Sequence, residues 1–474
     1  MSRVPARTEG TQASQGPSPL GTEPSAYGGV LLLAQAWAAL GAPALAGLRW
    51  QGAAGPLLLF ALVVAPLLPA VSSVRAVALC FGTGSEVLTR TLGWGAVLTQ
   101  RRLARFVASR RHDWGVVLGS MARLLASHPA TALRGPRAIV VDSTTIEKRY
   151  GPCLPHRHPV YDAVQQRLVD GYAVVTGCVV SASGGWPLGL LPHAPTRTDG
   201  RSVRRRRKAQ PGEAPSKLDL ALELVHLAVR AGVGCTAPVL ADSAFCVMWW
   251  LREVAATGRH WLVSTRQDRR LRIGATVQSF AAWVAQQAPQ PLDCTETGAR
   301  RLWCVALPPA TLLDKGCHQK GLACQPVYFE RRDRQGRVIH RWYLLTSQVD
   351  WDVATVWQYW QWRWPIEVLH RDAKQHLRMA AFHTRTWEAI VALLACTSLR
   401  LSLLVFIRAF DPACTAFSTG ALVTALQQAA CLLQPAAPDR VQVLLPNSLP
   451  ATRLWNQVAP PLPAPFWPLV TQPA

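Results

Sequence analysis

Two apolar runs in this chain break off in the same way. Ala138-Ile139-Val140-Val141 stops at Asp142 and is followed by Ser143, Thr144 and Thr145; Pro238-Val239-Leu240-Ala241 stops at Asp242 and Ser243. A short, largely β-branched run that gives way to polar residues reads as a buried strand and its exit. Strands without a polar face lie inside a sheet covered on both sides, which is the α/β arrangement. In open sheets of that kind, ligands bind beyond the carboxyl ends of the strands. The two aspartates are 100 residues apart, so only the fold can bring them together. Either one alone reads as a helix cap or turn residue; their matching settings make them a candidate pair of site carboxylates. Ser143, Thr144 and Thr145 read as caps of the turn after the first strand.

The same alternation organises the chain around them. Residues 171–181 and 186–193 read as strands of a hairpin turning at 182–185, residues 217–232 as an amphipathic helix closed by Gly232, and residues 260–265 as a third buried strand. Residues 271–345 interrupt this pattern with strand-like runs, two of which flank a turn at Arg334-Gln335-Gly336-Arg337. Helical patterns resume at about 352–379 and 387–409. The expected layout is therefore a disordered lead-in over 1–27, a helical N-terminal domain over 28–135, an α/β domain over 136–270 and 346–410 that carries the candidate carboxylates, a β-rich insertion over 271–345, and a C-terminal segment over 411–474, helical and then Pro-rich.

Charge limits the partners. The 474 residues carry 50 Lys+Arg against 27 Asp+Glu, a net +23, which points to a polyanion. Only six of the basic residues are lysines, a bias that a GC-rich genome also produces. Within 75–128, Arg101, Arg102, Arg105, Arg110 and Arg111 interleave with Leu103, Phe106 and Val107, which fits a helix beside DNA and equally an ordinary solvated face. The run Arg204 to Lys208 reads as a solvated loop. The twelve cysteines are scattered without a C-x-x-C and read as core residues of a protein in a reducing cytoplasm, with no cysteine metal site. Two charge-free stretches, 24–48 and 50–74, are long enough to span a bilayer. Their Gly, Pro and Ala content favours buried helices over a membrane hairpin, and no membrane partner is expected.

The third carboxylate comes from a helix. Glu367 precedes Arg371 by four residues and Lys374 by seven, and follows Arg363 by four, so one acid lies in a stripe of cations. Pro365 requires a kink or a helix start near 364. A surface ladder of ion pairs explains the spacing, but not the tryptophan-rich flank or the two matching strand ends.

With these residues in hand, the chain resembles insertion-sequence transposases of the DDE class, whose catalytic domain is ribonuclease-H-like. The resemblance runs from about 137 to 410 through VVDSTT, VLADSAF and RWPIEVLHRDAKQ, in that order, with a β-rich insertion before the acid helix. The family's helix signature spaces Tyr, Arg, Glu and Lys by two, three and six residues. Arg363, Glu367 and Lys374 match; Trp360 stands where the tyrosine belongs, with Tyr359 one position earlier. The resemblance implies that Asp142, Asp242 and Glu367 are catalytic and hold two Mg²⁺ (or Mn²⁺) ions, ~3.5–4 Å apart in two-metal sites. It implies that Arg363, Lys374 and Tyr359 contact DNA, and helical phase adds Arg371. The implied partners are double-stranded DNA, as transposon ends with inverted repeats and as target, and a second copy of the chain when DNA is bound. The implied setting is a prokaryotic cytoplasm, at the nucleoid.

Trp303 and Trp342 lie in the insertion, where an aromatic stacks on a flipped base in some relatives; strand packing explains both more simply. His193, His226 and His370 read as structural. A nuclease on the same fold, a non-catalytic DNA-binding derivative and a membrane protein with a charged soluble part are the alternatives to a transposase.

Overall fold

The computed structural model describes residues 28–50, 54–67, 73–82, 98–149, 151, 153–195, 213–234, 236–292, 301–314, 317–382, 384–428, 432–437 and 440–444. The 1–27 lead-in, the Arg204–Lys208 run and residues 445–474 lie outside them. Helices come first: α1 (Gly28–Ala39), α2 (Ala54–Val64), α3 (Val74–Gly82), α4 (Gln100–Val107) and α5 (Trp114–Ser127). Strands β1 (Arg137–Glu147), β2 (His158–Asp162), β3 (Arg167–Ser181) and β4 (Gly184–Pro192) follow. Next are α6 (Lys217–Arg230), β5 (Val239–Ala241), α7 (Met248–Ala256) and β6 (Trp261–Ser264). The expected insertion contains β7 (Arg270–Ile273), β8 (Thr276–Ser279), α8 (Phe280–Ala285), β9 (Gln290–Leu292), β10 (Arg301–Ala306), β11 (Ala310–Asp314), β12 (Cys317–Arg332) and β13 (Val338–Thr346). The chain then runs through α9 (Val353–Gln361), α10 (Trp364–Gln375), α11 (Trp387–Phe410) and α12 (Thr419–Gln428).

The central strands lie in the order β4-β3-β1-β5-β6. β3 is antiparallel to both β1 and β4, whereas β5 is parallel to both β1 and β6. The sheet does not stop there: β13 pairs with β6 and β12 pairs with β13, both antiparallel. The insertion thus continues the central sheet, and its last strand covers the edge that β6 would otherwise expose.

β1 is longer than the sequence pattern implies. It continues through Asp142 and the hydroxyl residues to Glu147, so Ser143, Thr144 and Thr145 belong to the strand and cap no turn. The reason is its partner. β3 pairs with β1 from Arg137↔Ser181 to Glu147↔Gly171, whereas β5 accompanies β1 only over Ile139, Val140 and Val141. One edge of β1 therefore loses its neighbour just where Asp142 begins.

Side-chain alternation along these strands divides the core into two layers. Ile139, Val141, Val239 and Ala241 join the larger cluster on the face that α6 covers, while Ala138, Val140, Leu240 and Leu262 pack with Trp357, Trp360 and Ile366 of α9 and α10. Helix α6 opens with a reciprocal cap between Ser216 and Asp219. It approaches closely because the sheet beneath has no side chains at two points. A Cβ at Gly177 would lie 3.1 Å from Leu224 Cβ, and one at Gly189 would lie 3.2 Å from Leu224 Cδ2.

The charge-free N-terminal stretches contain α1 and α2, and Leu33, Ala34, Ala36 and Trp37 of α1 and Leu57 to Val64 of α2 are buried in the larger cluster. Helix α11, with 24 residues, is long and apolar enough to cross a membrane by length and composition, but here it is packed against β4, α5, α2, α4 and α1. A helix hydrophobic on all sides is what such a central position needs. Its buried Arg400 donates to the carbonyls of Val63 (2.8 Å), Leu62 (3.2 Å) and Leu377 (2.5 Å), tying α11 to the end of α2. The helical pattern over 352–379 is broken between α9 and α10 at Trp362 and Arg363, with Pro365 in the first turn of α10.

Candidate active site

The alternation that builds the two layers also aims the aspartates. Asp142 follows Val140 by two positions and Asp242 follows Leu240 by two, so both carboxylates fall on the face covered by α9 and α10. Helix α10 packs across β1 and β3 on that face and brings Glu367 in its first turn. Arg363, at the start of α10, joins them. Its guanidinium donates to Asp142 Oδ2 at 3.0 Å and also to Glu367 Oε1. Its Cζ lies 5.5 Å from the ring of Trp360, the residue at the signature's tyrosine position.

Burial, and next the charge of Asp242, push the Asp142 carboxyl up to about 6 against the pull of Arg363. Burial likewise raises Asp242, opposed by the Ala244 N–H, which donates to its Oδ1 at 2.9 Å, and by Arg363. Asp242 thus also caps the short turn Ser243–Phe245, the structural role expected of an isolated aspartate. The result is a half-buried cluster with more negative charge than its single bridging arginine balances.

Further cations surround it. Lys217, the first residue of α6, is lowered by burial and held up by the Asp242 carboxylate. Lys374 is lowered by burial and held up by Asp162, an acid of β2. Arg371 is exposed and pairs with its neighbour Asp372 at 3.4 Å, whose other oxygen accepts from Thr419 Oγ1 at 2.5 Å. Helical phase alone had put Arg371 beside Glu367. Tyr359 stacks on Trp351, with ring centroids 4.5 Å apart, and meets Trp362 edge-on. Its contacts are with this aromatic cluster. Sequence spacing gave no sign of Lys217, which reads as an ordinary first residue of an amphipathic helix.

The other candidates have structural surroundings. Trp342 packs edge-on against Trp357 at 5.0 Å, and Arg332 Cζ lies 4.2 Å from the Trp303 ring. Burial, then Lys374 and Arg363, push His370 down to about 3; burial, then Lys217 and His158, push His193 to about 4. Both imidazoles are neutral at ordinary pH.

Three carboxylates form the oxygen-rich donor set that a hard divalent cation prefers. Directly across the β1–β3 ladder from Asp142 lies Thr176, whose buried Oγ1 has no hydrogen-bond partner among the described residues. A further ligand or an ordered water beside Asp142 would satisfy it. The residues therefore fit such an ion in chemistry. Among the described residues, however, no three His, Cys, Asp or Glu side chains are gathered into a ready ion cage. Arg363 bridges two of the carboxylates instead.

Residues 86–292 match the family described as DDE superfamily endonuclease, a span that contains Asp142 and Asp242 and ends before Glu367. No curated protein matches the chain. Among solved structures it is similar to the piggyBac transposase in a synaptic complex with hairpin DNA, at 12% identity and a TM-score of 0.42, over 85% of this chain and 79% of that one. That likeness is too distant to inform individual residues. A region similar to DDE superfamily endonucleases, carrying two of the acids, is the class that sequence and site define together.

Proposed function

We propose that this chain is a DNA transposase that cuts DNA at the ends of a mobile element and joins the freed 3′ ends to target DNA. One observation carries the reading: Asp142, Asp242 and Glu367, from three distant segments, converge at one end of a mixed sheet around Arg363. That mixed α/β sheet supports a ribonuclease-H-like core, with α1–α5 as a helical N-terminal domain. The match to DDE superfamily endonucleases supports phosphodiester chemistry.

Asp142, Asp242 and Glu367 are the residues that would hold Mg²⁺ or Mn²⁺, two ions in this reading. When bound, such ions supply an activated water and neutralise the leaving oxygen. The chain's own residues do the rest. Arg363 sets the relative position of Asp142 and Glu367 and presents a guanidinium suited to a phosphate at the same place. Lys374 adds a second phosphate contact, with the exposed Arg371 and Tyr359 further along. Cutting two ends requires two active sites, so a homodimer on DNA follows, in a prokaryotic cytoplasm at the nucleoid.

The test is cleavage of a DNA substrate carrying the element's ends. Asp142→Asn, Asp242→Asn and Glu367→Gln should each abolish metal-dependent cleavage and leave binding largely intact, because acids hold metal and arginines hold phosphate. A variant that cuts at the wild-type rate removes that acid from the site. Cut product without joined product would favour a nuclease, the reading that the matched family's description equally fits. Short inverted repeats flanking the reading frame, bordered by a direct duplication, would favour the transposase.

A further inference from the structure

A second cationic feature lies away from the acids. A cavity of about 260 Å³ opens between α3, α4, α11 and the segment that follows α10. It is lined by Arg75, Arg378 and Arg400, with Gln100, Ser73 and Thr384 among its polar residues, and among the described residues no carboxylate contributes to its wall. A water takes ~30 Å³ of liquid volume, so the space accommodates a phosphate group with ordered waters.

Three features argue that the cavity serves an anion. Arg400, at its floor, is 3% exposed and bonds only to carbonyls, so its charge has no ionic partner among the described residues. A second guanidinium, Arg378, is near enough to oppose the charge of Arg400; two like charges around one cavity cost stability unless an anion joins them. Arg378 also sits at φ +55°, in the left-handed region where glycine is usual. A strained backbone that retains a long cationic side chain at the mouth of a cavity points to a role for that side chain.

The position suits DNA. Arg378 follows Glu367 by 11 residues, and the eight steps of α10 from Glu367 to Gln375 span about 12 Å. Phosphates along one strand advance about 3.4 Å per nucleotide along the axis, so the length of α10 between Glu367 and the segment carrying Arg378 matches a few nucleotides. Arg101, Arg102 and Arg105 are exposed on α4, whose first residue, Gln100, lines the cavity, and they continue the basic surface outward.

We infer that this cavity seats a phosphodiester of the bound DNA a few nucleotides from the cleaved bond, gripped by Arg378 and Arg75 over the buried charge of Arg400. The inference rests on the proposed DNA function and names a second anchoring point for the same substrate.

The test measures binding of the full chain to a fluorescent duplex of arbitrary sequence across a salt series. The variants are Arg75→Ala, Arg378→Gly and the double substitution; glycine suits the left-handed backbone at 378, so that variant keeps the fold. Each lost phosphate contact should lower the salt slope by about 0.9, so the loss of affinity from ~50 to ~200 mM salt should shrink roughly 3- to 4-fold per contact. Arg378→Lys should retain most of the slope. If wild type binds and the double variant keeps the full slope, the inference is overturned while the proposed function survives. If wild type binds no duplex, both fall. If inorganic phosphate raises the melting temperature of wild type but not of the double variant, with DNA slopes unchanged, the cavity holds free phosphate and the DNA assignment is overturned.

Discussion

The guanidinium of Arg363 donates to Asp142 Oδ2 across 3.0 Å, although 221 residues separate the two in the chain. This bond links the strand that carries one acid to the helix that carries another, since Arg363 also holds Glu367. It is charge-assisted and half-buried, which makes it stronger than a surface ion pair. It still leaves Asp242 facing Asp142, with each carboxylate raised in pKa by burial. The cluster is therefore held together and negative at once, which is the electrostatic condition for taking up a cation.

Divalent metal should accordingly stabilise the free protein. Mg²⁺ or Mn²⁺ at about 100 times its dissociation constant should add about 2.7 kcal/mol to unfolding, visible as a rise in melting temperature. Asp242→Asn should lose most of that rise, because it removes a ligand without touching the Arg363 bridge. A melting curve for wild type that ignores both metals would count against the three acids as ligands.

Lys217 gives a second prediction. Its ammonium, at the start of α6, is held up by the Asp242 carboxylate, the one acid of the three that Arg363 does not hydrogen-bond. Lys217→Met should slow cleavage roughly 10- to 100-fold, the worth of one charge-assisted contact of about 1.5–3 kcal/mol. Lys217→Arg should recover part of the rate. Unchanged cleavage in Lys217→Met, with normal folding, would reduce Lys217 to a structural partner of Asp242.

What was legible in the sequence is what local pattern controls. The runs ending at Asp142 and Asp242 marked central strands because burial on both faces leaves no polar alternation. Pro365 marked the break before α10 because it lacks a backbone donor. The extension of β1 past Asp142 was not legible, since it depends on how far β3 continues beside it and where β5 ends. Nor was the pairing of β13 with β6, a contact between segments more than 70 residues apart. Arg371 shows the limit of helical phase. A position on the same face as Glu367 does not fix which way a long side chain reaches, and Asp372, anchored by Thr419, is its nearer acid.

Arg400 should matter for stability more than any exposed arginine. Replacing it by Met keeps the volume and the apolar contacts of α11 but leaves the carbonyls of Leu62, Val63 and Leu377 without their donors. Buried acceptors left unpaired should cost roughly 3–5 kcal/mol together, read as a lower denaturation midpoint in urea. Arg101→Met on α4, exposed on the same basic surface, should change stability by no more than about 0.5 kcal/mol. Equal effects for the two would show that the Arg400 bonds contribute little.

Lys148, just beyond β1, should give the protein a measurable pH signature. Its Nζ donates to Phe382 O at 2.6 Å and to Ala380 O, with the Phe382 ring centroid 3.7 Å away. These contacts clasp the end of the strand that carries Asp142 to the segment just after the helix that carries Glu367. Burial pushes the lysine pKa from its usual 10.5 down to about 8. Between those values the unfolded chain binds the proton and the folded one has released it, so the Lys148 contribution to stability rises with pH across that window. Below about pH 8 the lysine is protonated in both states and the burial penalty is present in full. Lys148→Met removes the titration along with the clasp. The stability difference, wild type minus variant, should therefore grow steadily from pH 8 to 10 in urea titrations, even as buried cysteines and tyrosines titrate equally in both proteins. The variant should also cleave DNA more slowly at pH 7.5, because the two acids lose a shared tether while keeping their own side chains. A pH-independent difference would mean that Lys148 titrates as a free lysine does, and unchanged cleavage would mean that Arg363 alone suffices to align Asp142 with Glu367.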